Sequence, residues 1–226
     1  MQVWVTAPTD REIHPLITWL QSISQPTDGQ KYRFRGHDIV IKTTGVGAVA
    51  TVFHLSRALQ ETMPDCVLQI GLAGSYAAEL SPGTVVRVQR DRLADLGAED
   101  HDRFLDVFTL GLDAADAFPF QQGWLVNPHL QAFPELTLPA VQAITVQTVS
   151  GSASTIARRA AGYHPQIETM EGAAFHYVCL QMHVPFLQIR AISNYVEPRD
   201  KSKWRISTAI ENLHQVMKQW LDAWLR

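Results

Sequence analysis

The sequence predicts an α/β fold in a single domain, residues 1–226, with a central mixed β-sheet flanked by helices on both faces. Three observations predict it. Short apolar or alternating runs recur between stretches of helical periodicity along the whole chain. Several of those runs end in small residues, as at Gly45-Val46-Gly47 and Gly71-Leu72-Ala73-Gly74. No linker, repeat or low-complexity tract interrupts the alternation, which argues for a sheet covered on both faces.

Taken in order, Gln2 to Thr6 reads as a strand, followed by helical spacing at Ile13, Leu16, Ile17 and Leu20. Gln25 to Gly29 is a turn cluster. Asp38 to Thr43 alternates as a strand, and Ala48 to Thr62 follows as a helix closed by Pro64. Cys66 to Ile70 is a strand that runs into the Gly71–Gly74 stretch, and Thr84 to Gln89 is the next strand after Pro82-Gly83. Asp91 to Gly123 is mixed and reads mostly as loop. Val141 to Thr148 is a strand, Met170 to Met182 a helix and Pro185 to Ile192 a strand. Arg205 to Leu225 forms a long amphipathic helix with its stripe at Ile206, Ile210, Leu213, Val216, Met217, Trp220 and Leu221.

Composition excludes several classes. The net charge is −3, with acids and bases interspersed and no basic stripe, which argues against a nucleic-acid partner. No run of roughly 18 apolar residues is present to span a membrane. The start, Met1-Gln2-Val3-Trp4-Val5, lacks the basic and apolar regions of a signal peptide. Cys66 and Cys179 lie among apolar residues with no CxxC spacing, so they read as buried free thiols of a cytoplasmic protein.

In an open α/β sheet, ligands bind beyond the carboxyl ends of the strands, so chemistry is sought there. Gly45-Val46-Gly47-Ala48-Val49-Ala50 has the GxGxxA form of a dinucleotide fingerprint. The acid that should follow the next strand is missing, since Asp65 precedes it. The stretch therefore reads as a tight strand-to-helix turn, with no cofactor. Gly71 to Ser75 either lets a ligand approach the backbone or is only a crowded turn. Glu171 opens a helix, where an acid is often merely a cap, but Met170, Gly172 and Ala173 leave apolar room beside its carboxylate. A carboxylate accepts from two vicinal hydroxyls. Asn194 falls just past an apolar strand, in the ligand crevice or in an Asx turn. Glu12 follows the first strand, with Asp10 as its neighbour and rival. Glu99-Asp100-His101-Asp102 lacks a partner motif at metal spacing and reads as a solvated acidic loop, with no metal.

Together these stretches resemble the nucleoside phosphorylase and nucleosidase superfamily along nearly the whole chain. Pro64-Asp65 through Gly74, with Pro82-Gly83-Thr84-Val85-Val86, resembles that family's glycine motif and next strand. Thr169-Met170-Glu171-Gly172-Ala173-Ala174 resembles its ribose-binding motif, and Arg190-Ala191-Ile192-Ser193-Asn194 its purine-binding strand end. Ala94 to Asp100 and Asn194 to Trp204 are similar to the futalosine hydrolases in particular, which release hypoxanthine from futalosine in menaquinone synthesis.

The resemblance implies a nucleoside phosphorylase-like fold, a small-molecule purine nucleoside as substrate, and a homodimer or larger homo-oligomer. It implies that Glu12 activates water and that Glu171 binds the ribose hydroxyls over Met170. It further implies that Asn194 reads the purine edge and acts in catalysis, with Ala73, Gly74 and Ser154 contributing to substrate binding. The chain departs from the family at three places. Related methylthioadenosine nucleosidases carry Asp at the position of Asn194; an Asn amide donates to a 6-oxo group and accepts from a protonated N7, which suits hypoxanthine or guanine. Leu72 stands where those nucleosidases have Ser, leaving only its backbone for a contact. The first helix starts one residue later than their pattern, which keeps Asp10 in contention. With Arg11 the only base between the first strand and its helix, and no Lys or Arg between Cys66 and Pro82, water is favoured over phosphate as nucleophile.

Overall fold

Alternation in the first strand sets the layering. Val3, Val5 and Ala7 join one core cluster and Trp4 another, because successive side chains of a strand point to opposite faces. The computed structural model describes residues 1–24, 26–101, 103–133 and 136–225. Its elements run β1 (Gln2–Ala7), α1 (Asp10–Ile23), β2 (Pro26–Asp28), β3 (Lys31–Phe34), β4 (His37–Thr43), α2 (Gly47–Glu61), β5 (Cys66–Ser75) and β6 (Val85–Asp91). They continue with β7 (Gly97–Asp100), β8 (Arg103–Asp106), β9 (Leu125–Val126), β10 (Ala140–Thr145), α3 (Ala153–Tyr163), β11 (Ile167–Thr169), α4 (Gly172–Gln181), β12 (Phe186–Tyr195) and α5 (Ile206–Trp224).

The main sheet is mixed, in the order β11-β10-β6-β12-β5-β1-β4-β3-β2. β11 also pairs antiparallel with β5, Glu168 opposite Gly74, so one half of the sheet closes into a ring of five strands while β1 to β4 extend as an open wing. Ile13, Leu16 and Leu20 of α1 and Leu213, Met217 and Trp220 of α5 pack on one face. Leu55 and Leu59 of α2 and Phe175, Val178 and Cys179 of α4 pack on the other. Burying each such side chain contributes roughly 1.5–3 kcal/mol.

Several elements differ from the sequence reading. β5 runs to Ser75, well beyond Ile70, because Gly71 to Ser75 stay paired with β12 along its length. β12 likewise continues through Asn194, with a register shift between Ile192 and Asn194, so Asn194 lies in the strand at an irregularity rather than past its end. α4 begins at Gly172; Glu171 is its N-cap residue and makes no capping bond to that helix. β10 stops at Thr145. The supposed turn cluster after α1 contains β2, with Gln25 outside the described residues.

The 91–123 segment is not mostly loop at its start. β7 and β8 form a separate hairpin, and Arg92, ion-paired to Asp106, ties it to the end of β6. Glu99 of the acidic stretch pairs with Arg158 at 3.0 Å, and Asp102 lies outside the described residues. Among the described residues no helix is long and apolar enough to cross a membrane, and no cluster of His, Cys, Asp and Glu could hold a metal. Cys66 and Cys179 are free and buried, and burial pushes the Cys66 thiol up to about 12.

Candidate active site

Thr9 caps α1, and Glu12 stands three residues on, the spacing of a capping box. The usual box returns the carboxylate to the cap's backbone. Here Glu12 Oε2 instead accepts from the Thr9 hydroxyl at 2.6 Å, and Oε1 accepts from the Leu72 N–H at 3.0 Å. Both oxygens are therefore fixed, and the side chain lines the cleft beyond β1 and β5. His214 of α5 lies 2.7 Å from the Glu12 carbonyl and pins this helix end. Asp10 takes the Thr43 hydroxyl at 2.7 Å and is not among the residues lining the cleft. Leu72 contributes its backbone to the site, which is why a Leu is accommodated there.

Glu171 is buried between two donors. Its Oε1 accepts from the Gly47 N–H at 3.0 Å and its Oε2 lies 3.4 Å from Arg190 Nη1. Gly45 and Gly47 have φ of 83° and 86°, the left-handed region that favours glycine. The GxGxxA stretch is thus a tight turn that aims the first N–H of α2 at Glu171. The N-cap residue of α2, Val46, has no side-chain acceptor, so Glu171 satisfies that helix end from across the molecule. Burial raises the Glu171 pKa; the Arg190 guanidinium and the Gly47 bond oppose the rise, while the negative charge of Glu12 adds to it.

Arg190 is fully buried on β12, directly opposite Gly71 of β5. Its Nη2 donates to Gln69 at 2.6 Å and its Nη1 lies 3.4 Å from the Leu72 carbonyl. A Cβ on Gly71 would sit 2.6 Å from Arg190 Nη1 and 3.1 Å from Glu12 Oε1. Gly71 is therefore what allows the guanidinium and the two carboxylates to share one floor.

At the other end, the Ser193 hydroxyl donates to Asn194 Oδ1 at 2.7 Å, and Asn194 Nδ2 donates to the Tyr195 carbonyl at 2.9 Å. Gly74 leaves the space beside it: a Cβ there would lie 3.5 Å from Nδ2. The cleft, of about 240 Å³, brings together Glu12, Ala73, Gly74, Met170, Glu171 and Asn194. It does not include Ser154, which is exposed in the first turn of α3, its hydroxyl 3.2 Å from that of Ser152.

Sequence reasoning assigned no role to Arg190 or Glu168. Glu168 lines the cleft and is held by the Ser150 N–H at 2.7 Å, the Tyr76 hydroxyl at 3.0 Å and Arg159 at 3.3 Å. A charged residue inside an apolar strand was the available signal for Arg190. Beneath α4 lies a further buried acid. Asp91 accepts from Thr145 at 2.9 Å and Gln188 at 3.3 Å, and burial pushes its pKa up to about 6.

Residues 3–222 match the Phosphorylase superfamily. The chain belongs to that family. It is 30% identical to the futalosine hydrolase of Thermus thermophilus over 83% of each chain. It is 36% identical to that of Streptomyces coelicolor over 66% of its own length, a match that spans 62% of the Streptomyces protein. The 5'-methylthioadenosine/S-adenosylhomocysteine nucleosidase of Aeromonas salmonicida is 29% identical over 72% of this chain and 70% of that protein. The fold superposes on a futalosine hydrolase mutant of Helicobacter pylori with a TM-score of 0.80, at 16% identity, covering 99% of both chains. For the nucleosidase of Colwellia psychrerythraea in complex with adenine the TM-score is 0.78, at 21% identity, covering 99% of this chain and 96% of that one. The matched relatives are nucleosidases, and the chain is of that class, an N-glycosyl hydrolase.

Proposed function

We propose that the protein hydrolyses the N-ribosyl bond of a 6-oxopurine nucleoside, with futalosine as the substrate, giving hypoxanthine and dehypoxanthine futalosine for menaquinone synthesis. The observation that carries this reading is the pairing of two oriented carboxylates, Glu12 and Glu171, in one cleft whose lining contains no Lys or Arg among the described residues. Phosphorolysis calls for cations or backbone donors around phosphate, and the buried cation below the floor, Arg190, is already engaged with Glu171 and Gln69.

In this reading Glu171 accepts hydrogen bonds from the 2′- and 3′-hydroxyls, with Met170 under the sugar. The bond from C1′ to the purine nitrogen breaks first, leaving an oxocarbenium-like sugar that the two carboxylates stabilise. Water attacks C1′ and loses its proton to Glu12; the base leaves protonated at N7 by solvent, since the Asn194 amide has no acidic proton to give. Gly74 and Ala73 let the purine approach the backbone. Asn194 favours a 6-oxo over a 6-amino edge, which separates this reading from the methylthioadenosine reading that the nucleosidase relatives support.

A homodimer fits the exposed apolar row Val46, Val49, Val52 and Phe53 along α2, which a second copy would cover beside Glu171. Buried free thiols suit the reducing cytoplasm. The deciding experiment incubates the protein, free of phosphate, with futalosine and with methylthioadenosine and measures free base. Hypoxanthine release from futalosine at the higher kcat/KM is expected. Strict dependence on added phosphate, or preference for methylthioadenosine, overturns the assignment.

A further inference from the structure

Glu168 is a buried acid that the proposed mechanism leaves unused, and strand register sets it beside the Asn194 end of the cleft. It pairs across the sheet with Gly74 of β5, and Gly74 pairs in turn with Asn194 of β12. Residues paired in this way present their side chains on one face, so Glu168 and Asn194 stand on either side of a position that has no side chain. Their backbones are two strand spacings apart, roughly 10 Å. Glu168, Gly74 and Asn194 all line the main cleft, and all three line a smaller recess of about 70 Å³ that also takes in Ser150. The centre of the row has little room for more than glycine: a Cβ on Gly74 would lie 2.9 Å from Val196 Cγ2.

The surroundings hold Glu168 as an acceptor. Its Oε2 accepts from the Ser150 hydroxyl at 2.5 Å and the Tyr76 hydroxyl at 3.0 Å, with Arg159 Nη1 3.3 Å away. Burial pushes the Tyr76 phenol above its usual range, so that hydroxyl keeps the proton it donates. Arg159 is itself buried and is braced by the Thr148 carbonyl at 2.9 Å and by Asp95 at 3.4 Å. Glu168 Oε1, by contrast, accepts one bond among the described residues, from the Ser150 N–H at 2.7 Å. A carboxylate oxygen has two lone pairs, so Oε1 keeps an acceptor position in hand. Every polar group touching this carboxylate donates to it, which fixes its orientation and leaves it able to take one further donor.

We infer that Glu168 is a specificity-determining residue that reads the N1 edge of the purine, accepting a hydrogen bond from the N1–H of a 6-oxopurine. The inference rests on the reading that places a 6-oxopurine at Asn194, and it deepens that reading by naming the group that rejects adenine. N1 neighbours C6 in the purine ring. A base whose N7 and 6-oxo group meet Asn194 therefore turns N1 to the other side of the slot, across Gly74. Hypoxanthine and guanine carry a proton on N1, whereas adenine presents a lone pair there. A carboxylate accepts from the first and repels the second, so one residue favours the right edge and penalises the wrong one. The Asn194 amide carries both a donor and an acceptor; the carboxylate only accepts, which makes its discrimination the sharper.

The test uses free bases, so that it does not depend on turnover. Calorimetry measures the binding of hypoxanthine, 1-methylhypoxanthine and adenine to the wild type and to Glu168→Gln. The wild type is expected to bind hypoxanthine about tenfold or more tightly than either other base, because a hydrogen bond to a charged acceptor is a strong one. In Glu168→Gln both ratios are expected to fall by about tenfold, since the amide can donate to adenine N1. A merely structural role would weaken all three bases together, and a methyl clash alone would penalise 1-methylhypoxanthine equally in both proteins; unchanged ratios of either kind overturn the inference. Hypoxanthine labelled with nitrogen-15 at N1 reads the contact in the wild type even where the variant fails to fold. A slowly exchanging N1–H signal, shifted downfield, is expected, and a signal like that of the free base overturns the inference. Hypoxanthine release from futalosine with variant-insensitive ratios overturns the role of Glu168 and leaves the hydrolase reading standing. Variant-sensitive ratios without base release do the reverse, and a wild type that prefers adenine overturns both.

Discussion

Replacing Gly71 by Ala tests the floor of the active site without touching a chemical group. The added methyl would sit 2.6 Å from Arg190 Nη1, against an ordinary contact of at least 3.4 Å, so the guanidinium must retreat by about 0.8 Å. It has nowhere to go cheaply: Arg190 is fully buried, its Nη2 is 2.6 Å from Gln69, and Gly71 and Arg190 are cross-strand neighbours in register. Overpacking of this kind costs roughly 1–3 kcal/mol, and weakening a charge-assisted bond adds to it. A total of about 2–4 kcal/mol corresponds to a fall in Tm of about 5–15 °C in a chain of this size. Glu171 and Glu12 should shift with the guanidinium, and a displacement near 1 Å at a reacting centre can cost about a hundredfold in rate. Gly162→Ala in α3 is the matched control, because its added Cβ meets nothing within 4 Å. Calorimetry and base-release kinetics on both variants provide the comparison. Wild-type kcat/KM and Tm in Gly71→Ala would refute the claim that Arg190 and the two carboxylates depend on this glycine.

Glu12→Gln should lower kcat by roughly 10²–10⁴-fold with purine binding retained, whereas Asp10→Asn should leave kcat within a few-fold; the reverse order in steady-state assays would reinstate Asp10. Asn194→Asp should swing the kcat/KM ratio from 6-oxo toward 6-aminopurine nucleosides by about tenfold or more, and an unchanged ratio would remove Asn194 from purine recognition. Asp91 keeps its proton up to about pH 6 when folded but releases it near 3.8 when unfolded, so its contribution to stability falls as pH rises between those values. That loss amounts to about 3 kcal/mol. Asp91→Asn should therefore show a smaller decline in Tm from pH 4 to pH 7 than the wild type, and parallel curves would show that the buried acid does not titrate in this window.

Legibility in the sequence varied with the locality of the cause. The layered fold was readable because periodicity reports which face of an element is buried, as the stripe of α5 did from Ile206 to Leu221. Glu12, Gly74, Glu171 and Asn194 were readable as small or polar residues near strand ends and Met170 as the apolar neighbour of Glu171, and the cleft brings them together. Strand ends were misplaced where pairing outlasted propensity: glycine and alanine from Gly71 to Gly74 look like a break, yet β12 holds them in register. β7 was missed because all four of its residues are exposed and none carries a large apolar side chain, and β8 because a four-residue run, Arg103-Phe104-Leu105-Asp106, is too short to show a period. The Arg190–Gln69–Gly71 floor is set by register between strands more than a hundred positions apart, and no local pattern announces it.

Glu171 is the end of two things at once: a carboxylate facing the cleft and the counter-charge of a helix to which it does not belong. Folding has already stripped most of the water from this carboxyl group, so a donor entering the cleft, a ribose hydroxyl in the proposed reading, would meet an acceptor that is desolvated and held in place. If the proposed reading holds, the cost of burying this group is met in the resting protein and recovered on binding, so greater stability and faster turnover would pull in opposite directions at the floor of the site.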